Sequence, residues 1–266
     1  MEDILQKALE AAQKGQSYAF ATITESTLKG TPQKAGAKMV VLADGTIFGT
    51  IGGGRNEKAA QIECQKAIKT RKPTTVTYNF FGHKGQSVCG GQIKVFIEPF
   101  AGKSHLIICG AGHIALPLSA IAKMLNYKVT IIDNRKEFAN TKRFPHVDHI
   151  ILGTHAEKLK KISINLDTHI MIVTQGNEYD FECLKTVIKS SAGYIGVISS
   201  LAKKIKFLKR LRDTGISEFY LKRIKIPAGI NIGSQTPEEI AVSIMAEVIQ
   251  ENRNNYLDSA KFKEKL

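Results

Sequence analysis

The sequence predicts an α/β protein in two parts, an N-terminal mixed α/β domain followed by a Rossmann-like parallel-sheet domain. Three observations carry that reading. Short strand-like runs punctuated by glycines fill the first hundred residues. A strand then runs into Gly110-Ala111-Gly112-His113-Ile114-Ala115, a G-x-G-x-x-A turn that opens a helix. Beyond it, wholly apolar strands alternate with helical segments, as a parallel sheet covered on both faces requires.

The elements follow in order. Apolar residues at helical spacing predict a helix over about 3–14. Strands are expected at Tyr18–Thr24, Lys38–Leu42, Thr46–Ile51, Thr74–Asn79 and Lys94–Glu98, with a helix near 56–70 stopped by Pro73. Pro99-Phe100-Ala101-Gly102-Lys103 is a breaker-rich joint that sets the boundary, giving domains 1–101 and 102–252. In the second part, Leu106-Ile107-Ile108 leads to a helix near 112–125 and a strand Val129–Ile132. Later come Ile170–Val173, a helix near 181–190 and Tyr194–Ile198. Thr236-Pro237-Glu238-Glu239 has the form of a capping box with proline in the first turn. The polar end, 253–266, is expected to fray.

Composition removes several classes. The chain has 266 residues, 43% hydrophobic and 23% charged, an ordinary globular balance. No run approaches the roughly 18 apolar residues of a membrane span. The acidic opening Met1-Glu2-Asp3 predicts no secretory signal. Four cysteines, Cys64, Cys89, Cys109 and Cys183, are too scattered for a disulfide framework, and no C-x-x-C pair suggests structural zinc. A protein of the reducing cytoplasm is expected. The net charge is +14, and residues 201–225 hold nine Lys and Arg against two acids, half of the excess. Two readings of that stretch stand side by side: a solvated helix face, since Ile205, Leu208 and Leu211 recur at helical spacing, or a patch for a phosphate-bearing ligand or an acidic partner. No nucleic-acid signature accompanies it.

Several residues carry candidate chemistry. Gly110 permits the tight turn, Gly112 lets a pyrophosphate approach the backbone at a helix N-terminus, and Ala115 is small enough for helix and strand to pack. Asp133 ends the next strand, where a carboxylate accepts ribose hydroxyls, while Arg135 would tolerate a 2′-phosphate. His113 is either a proton donor or a helix N-terminal residue without a task. Cys109, ending a buried strand, reads as a core residue. In the first half, Gly52-Gly53-Gly54 exposes consecutive N–H groups able to form an anion nest. Cys89, beside Gly90 and Gly91, is either a buried residue of a tight turn or a thiolate held among backbone donors.

Taken in order, these stretches resemble the XdhC/CoxI family, accessory factors for xanthine dehydrogenase and related molybdenum hydroxylases. The resemblance covers about residues 3–250. It rests on Pro32–Met39, on Gly49–Glu57, on Cys89-Gly90-Gly91 running to Ile97-Glu98-Pro99, and on Gly110–Ala115. Asp133-Asn134-Arg135, Arg143-Phe144-Pro145, Tyr194-Ile195-Gly196 and the stretch Pro227–Ala241 complete it. It implies a homodimeric binding and delivery protein more than an enzyme. Such a protein holds molybdenum cofactor (molybdopterin), assists its sulfuration with a cysteine desulfurase, and passes it to a molybdenum hydroxylase client. Neither nucleic acid nor membrane is an expected partner. On this reading Cys89 is the reactive residue and a ligand to molybdenum. The cofactor-binding candidates are Lys38, Gly52, Gly53, Gly54, Glu57, Gly90, Gly91, Gly110, Gly112, His113, Asp133, Arg135, Ser200 and Lys203. The alternative is an NAD(P)-dependent oxidoreductase or nucleotide-sensing regulator using the Rossmann domain. Family members carry arginine where this chain has Gln33, Gln175 and Leu201-Ala202, and arginine is the side chain that grips phosphate bidentately. Backbone amides and a few lysines, Lys38 and Lys203 first, are left to hold an anion.

Overall fold

The computed structural model describes residues 2–27, 31–80 and 91–254. The chain divides after Lys103 into two compact units. The first is a five-stranded antiparallel sheet between two helices. Its elements are α1 (Glu2–Gln13), β1 (Tyr18–Ser26), β2 (Lys38–Leu42), β3 (Ile47–Gly49), α2 (Gly54–Thr70), β4 (Thr74–Asn79) and β5 (Gln92–Phe100), in the sheet order β3-β2-β1-β5-β4. Period-two alternation sorts the side chains between two cores. Ala19, Ala21 and Ile23 of β1 and Met39 and Val41 of β2 face α2, meeting Ala60, Cys64, Ala67 and Ile68. Tyr18 and Val40 face the other way, onto Ala8 and Ala11 of α1. The small Ala19 and Ala21 let α2 lie close to the sheet. On the opposite face Tyr18 stacks on Phe100 at 5.0 Å between ring centroids.

The second unit is a six-stranded parallel sheet. It comprises β6 (His105–Cys109), α3 (Ala115–Met124), β7 (Lys128–Asp133), β8 (His149–Leu152), α4 (His155–Leu159), β9 (Thr168–Ile172) and α5 (Asn177–Val187). These are followed by β10 (Tyr194–Val197), α6 (Leu201–Asp213), α7 (Glu218–Leu221), β11 (Ile224–Lys225) and α8 (Pro237–Asn254). The order β8-β7-β6-β9-β10-β11 is that of a doubly wound sheet whose direction reverses between its first and fourth strands. Both faces are covered. Ile107 and Cys109 point toward α4, α5 and α6, where Leu159, Phe181, Leu184, Phe207 and Leu211 are buried. Leu106 and Ile108 point toward α3 and α8, against Leu118, Ala122, Ile244 and Met245.

Several boundaries differ from those the sequence suggests. The expected strand at 46–51 shortens to Ile47–Gly49, because Gly49, Gly52, Gly53 and Gly54 all take positive φ and turn the chain. The helix after the glycine turn starts at Ala115, three residues later than expected. In α6 the buried stripe is Phe207 and Leu211, whereas Ile205 is 70% exposed. Cys109 is a buried core residue, with its thiol pKa held well above the usual value by its hydrogen bond with Cys183 and by burial. The end of the chain beyond Asn254 lies outside the described residues.

Candidate functional site

In the first unit the glycine-rich stretch turns from β3 into α2. Its conformation is fixed from two sides. A Cβ on Gly52 would lie 2.4 Å from Pro32 Cγ, so the Pro32–Met39 and Gly49–Glu57 stretches pack directly on each other. Glu57, in the first turn of α2, reaches back over the turn. Its Oε2 accepts the amides of Ile51 at 3.1 Å and Gly53 at 3.2 Å, and the Thr50 hydroxyl also donates to it. The carboxylate thereby sits at the positive end of α2, where anions are stabilised. Gly53 and Gly54 have open space where a Cβ would stand. Lys38 opens β2 and donates to Thr22 Oγ1 at 3.0 Å. Asn56 donates to the Asn79 carbonyl at 3.1 Å, tying the start of α2 to the end of β4. Gly91 is buried and its carbonyl accepts the Phe80 amide at 2.8 Å. Cys89 and Gly90 lie outside the described residues.

In the second unit the crevice forms where the sheet changes direction, above the C-terminal ends of β6 and β9. A cleft of about 260 Å³ opens there, lined by Gly112, His113, Ile114, Ala115, Val173, Thr174, Asp180, Ile198 and Lys203. Gly110 lies beneath it with φ 114°, and a Cβ would come within 2.3 Å of the Val173 carbonyl oxygen. Gly112 differs: a Cβ there meets nothing within 4 Å, so its bare backbone faces open space in the cleft. Opposite stands a polar cluster. Lys203 Nζ lies 2.6 Å from Asp180 Oδ2, while Asp180 Oδ1 accepts the Thr174 amide at 3.1 Å and its hydroxyl at 2.5 Å. Asp180 is 2% exposed and Lys203 reaches it along the Phe207 ring. Ser200 accepts the Lys203 amide at 3.3 Å and caps α6.

Asp133 and Arg135 lie at the end of β7, outside the residues lining that cleft. Both carboxylate oxygens of Asp133 are bonded within the chain, by the Ala111 amide at 2.7 Å and by the Arg135 amide, Nε and Nη2 at 2.9, 3.0 and 2.8 Å. Burial pushes the Asp133 pKa up. Bonds from Arg135 and the two amides, with His155 Nε2 4.0 Å from Oδ2, outweigh it and hold the pKa well below the usual carboxylate range. Burial, Lys128 and His149 lower the pKa of His105 to about 4, leaving a neutral ring against Thr130 Oγ1 at 2.8 Å.

The structure therefore brings Gly112, His113 and Lys203 to one cleft, sets Asp133 and Arg135 aside as a closed pair, and gathers Lys38, Gly52–Gly54 and Glu57 in the first unit. Asp180 and Thr174 escaped sequence reasoning. Their signal is weak: a threonine after a strand and, six residues on, an acid in the first turn of a helix. Of the stretches Tyr194-Ile195-Gly196 and Pro227–Gly229, the first and last residues are tied to α8. Tyr194 donates to Glu247 of α8 at 2.6 Å, and the Gly229 amide donates to the same oxygen at 2.8 Å.

A parallel sheet in this order, with a glycine turn after its first strand and a cleft at the switch point, defines a Rossmann-type domain. The XdhC Rossmann domain matches residues 106–248, and the XdhC and CoxI family matches residues 11–79. The chain belongs to the XdhC and CoxI family. It is 32% identical over 259 residues to a protein of Escherichia coli K12 called "Uncharacterized protein YqeB", covering 95% of this chain and 47% of that one. It is 28% identical over 157 residues to a probable xanthine dehydrogenase subunit of Bacillus subtilis 168, covering 59% of this chain and 46% of that one. The chain thus spans about half the length of these curated relatives. A crystal structure described as a xanthine dehydrogenase from Bacillus halodurans shares the fold, with a TM-score of 0.51 and 24% identity over 96% of each chain. Among the described residues no helix is long and apolar enough to cross a membrane, and no group of His, Cys, Asp and Glu is placed to hold a metal ion.

Proposed function

We propose that this chain is a molybdenum cofactor-binding accessory factor that assists sulfuration and insertion of the cofactor into a xanthine dehydrogenase-type hydroxylase. The observation that carries the reading is the cleft of a family member in which Gly112 offers bare backbone to open space and Lys203 stands opposite. Molybdenum in this cofactor is chelated by the pterin's own sulfurs, so the donors asked of the chain are amides and cations for its phosphate. In the second unit Gly112 and the ammonium of Lys203, which Asp180 also holds, supply these; in the first, Lys38 and the Gly52–Gly54 turn do so once Glu57 releases the Gly53 amide. When bound, the cofactor supplies the metal centre at which oxo and sulfido ligands exchange; Cys89 is the chain's thiol for that exchange. The name of the Bacillus subtilis relative, a xanthine dehydrogenase subunit, supports a hydroxylase as client. A cysteine desulfurase is the sulfur donor, and the acting form is a cytoplasmic homodimer. Of the basic stretch, Lys206 and Lys209 are exposed on α6 and offer a docking face to an acidic client.

The test is metal and pterin analysis of freshly purified protein from a host that makes molybdopterin. Molybdenum and oxidised-pterin fluorescence are expected in near-stoichiometric amounts, reduced about tenfold in Lys203→Ala and in Cys89→Ser, a loss of about 1.4 kcal/mol. Protein that carries no pterin and ignores added cofactor overturns the proposal.

A further inference from the structure

The second unit has the topology of a dinucleotide site, yet the acceptor that such a site needs is already used. In sheets of this order the carboxylate closing the second strand accepts the adenosine ribose hydroxyls. A carboxylate offers about four acceptor directions on its two oxygens. Asp133 Oδ1 takes the Arg135 amide at 2.9 Å and Nε at 3.0 Å; Oδ2 takes the Ala111 amide at 2.7 Å and Arg135 Nη2 at 2.8 Å. His155 Nε2 stands 4.0 Å from the same Oδ2. No direction remains for a diol.

Arg135 is itself held in place. Its guanidinium lies 4.0 Å from the centroid of the Phe138 ring, and its carbonyl accepts the amides of Phe138 at 3.1 Å and Ala139 at 3.0 Å. Swinging it out toward a 2′-phosphate would strip a fully buried carboxylate of two charge-assisted bonds. Size agrees with this. The neighbouring cleft of about 260 Å³ falls below the roughly 300–1,000 Å³ of most ligand sites, and neither Asp133 nor Arg135 lines it.

We propose that Arg135 shuts the adenosine-ribose position of this Rossmann domain. The crevice then excludes NAD(H) and NADP(H) and takes a smaller phosphate-bearing ligand at Gly112 and Lys203. The exclusion stands on the Asp133–Arg135 geometry; that the smaller ligand is a pterin phosphate rests on the function proposed above.

The test titrates the full chain with NADH and NADPH by calorimetry, beside thermal melts. Arg135→Met keeps a stem on Phe138 and removes every donor; Arg135→Lys keeps a cation but cannot bridge both oxygens. The parent protein is expected to give no heat with either nucleotide at about 1 mM. Arg135→Met should bind NADH at least about tenfold more tightly and gain melting temperature from it. Arg135→Lys, intermediate, serves if the methionine variant does not fold. Parent protein that binds either nucleotide at micromolar concentration overturns the proposal. So does a folded variant that binds NADH no better than the parent. Pterin content of the same preparations reports separately: parent protein lacking pterin while NADH stays excluded overturns the proposed function and leaves the gate standing.

Discussion

Gly110 and Gly112 stand two residues apart in one turn and are glycines for different reasons. Gly110 is required by packing: at φ 114° a Cβ would strike the Val173 carbonyl, backbone just past the end of β9. Gly112 is required by nothing the chain itself supplies, since the space beyond it is open. The two substitutions should therefore separate. Gly110→Ala is expected to cost on the order of 3 kcal/mol in urea unfolding, from strain and overpacking together. Gly112→Ala should stay within about 0.5 kcal/mol of the parent while losing bound pterin. Equal destabilisation by both would show that Gly112 is also a packing residue. A fingerprint thus names its glycines correctly without saying which one serves the fold and which the ligand; the distinction needs the strand that approaches from about 60 residues away.

At the level of elements, what was legible was local. The capping box of α8 is written in four consecutive residues, and the bonds are there: Glu239 Oε2 accepts the Gln235 and Thr236 amides at 2.7 and 3.0 Å, and Thr236 Oγ1 accepts the Glu239 amide at 3.2 Å. Thr236→Ala should cost about 1 kcal/mol and speed amide exchange in the first turn of α8; unchanged exchange would mean that packing on α3 alone holds that end. The βαβ opening at β6 and α3 was legible for the same reason, being one contiguous pattern. β8 was not, because His149–Leu152 is a short edge strand with no fully buried residue and so lacks the apolar run of its neighbours. The Asp180–Lys203 pair was half legible. Charge points to Lys203, but its partner lies 23 residues earlier on another helix, and only the order of strands β9 and β10 brings them together. The sequence points to Glu57 and Asp133 too, as ligand contacts; that their oxygens turn back onto the chain's own amides is a matter of rotamer, which no motif encodes.

For the molecule as a whole, the charge excess looks different once partners are assigned. Of the nine cations in 201–225, Lys203, Arg210, Arg212 and Lys225 pair with acids of the chain, and Arg223 donates to the Ser190 and Ala192 carbonyls. Much of that stretch fastens α6, α7 and β11 to the second unit. Global stability should also carry a signature of His105. Its pKa is about 4 in the folded protein, below the ordinary value of 6.5. The unfolded chain therefore binds this proton more readily, so stability is intact above pH 6.5 and falls as pH drops from 6.5 toward 4. The slope is at most about 1.4 kcal/mol per pH unit for one proton. Urea midpoints across that window should decline, less steeply in His105→Gln; identical slopes would remove His105 as the source. His146, lowered by burial and Lys123, accounts for part of what remains.

Glu57 on the amides of Ile51 and Gly53, and Asp133 on that of Ala111, have one consequence in common. Each glycine turn carries a tethered competitor for any anion arriving from outside. A short tether gives such a group a local concentration in the millimolar range or above. Asp133, buried and held by Arg135 as well, stays in place; Glu57 is the more accessible one, and phosphate at micromolar levels would leave it on its amides. Glu57 then sets a concentration threshold that any anion must exceed to reach the α2 turn.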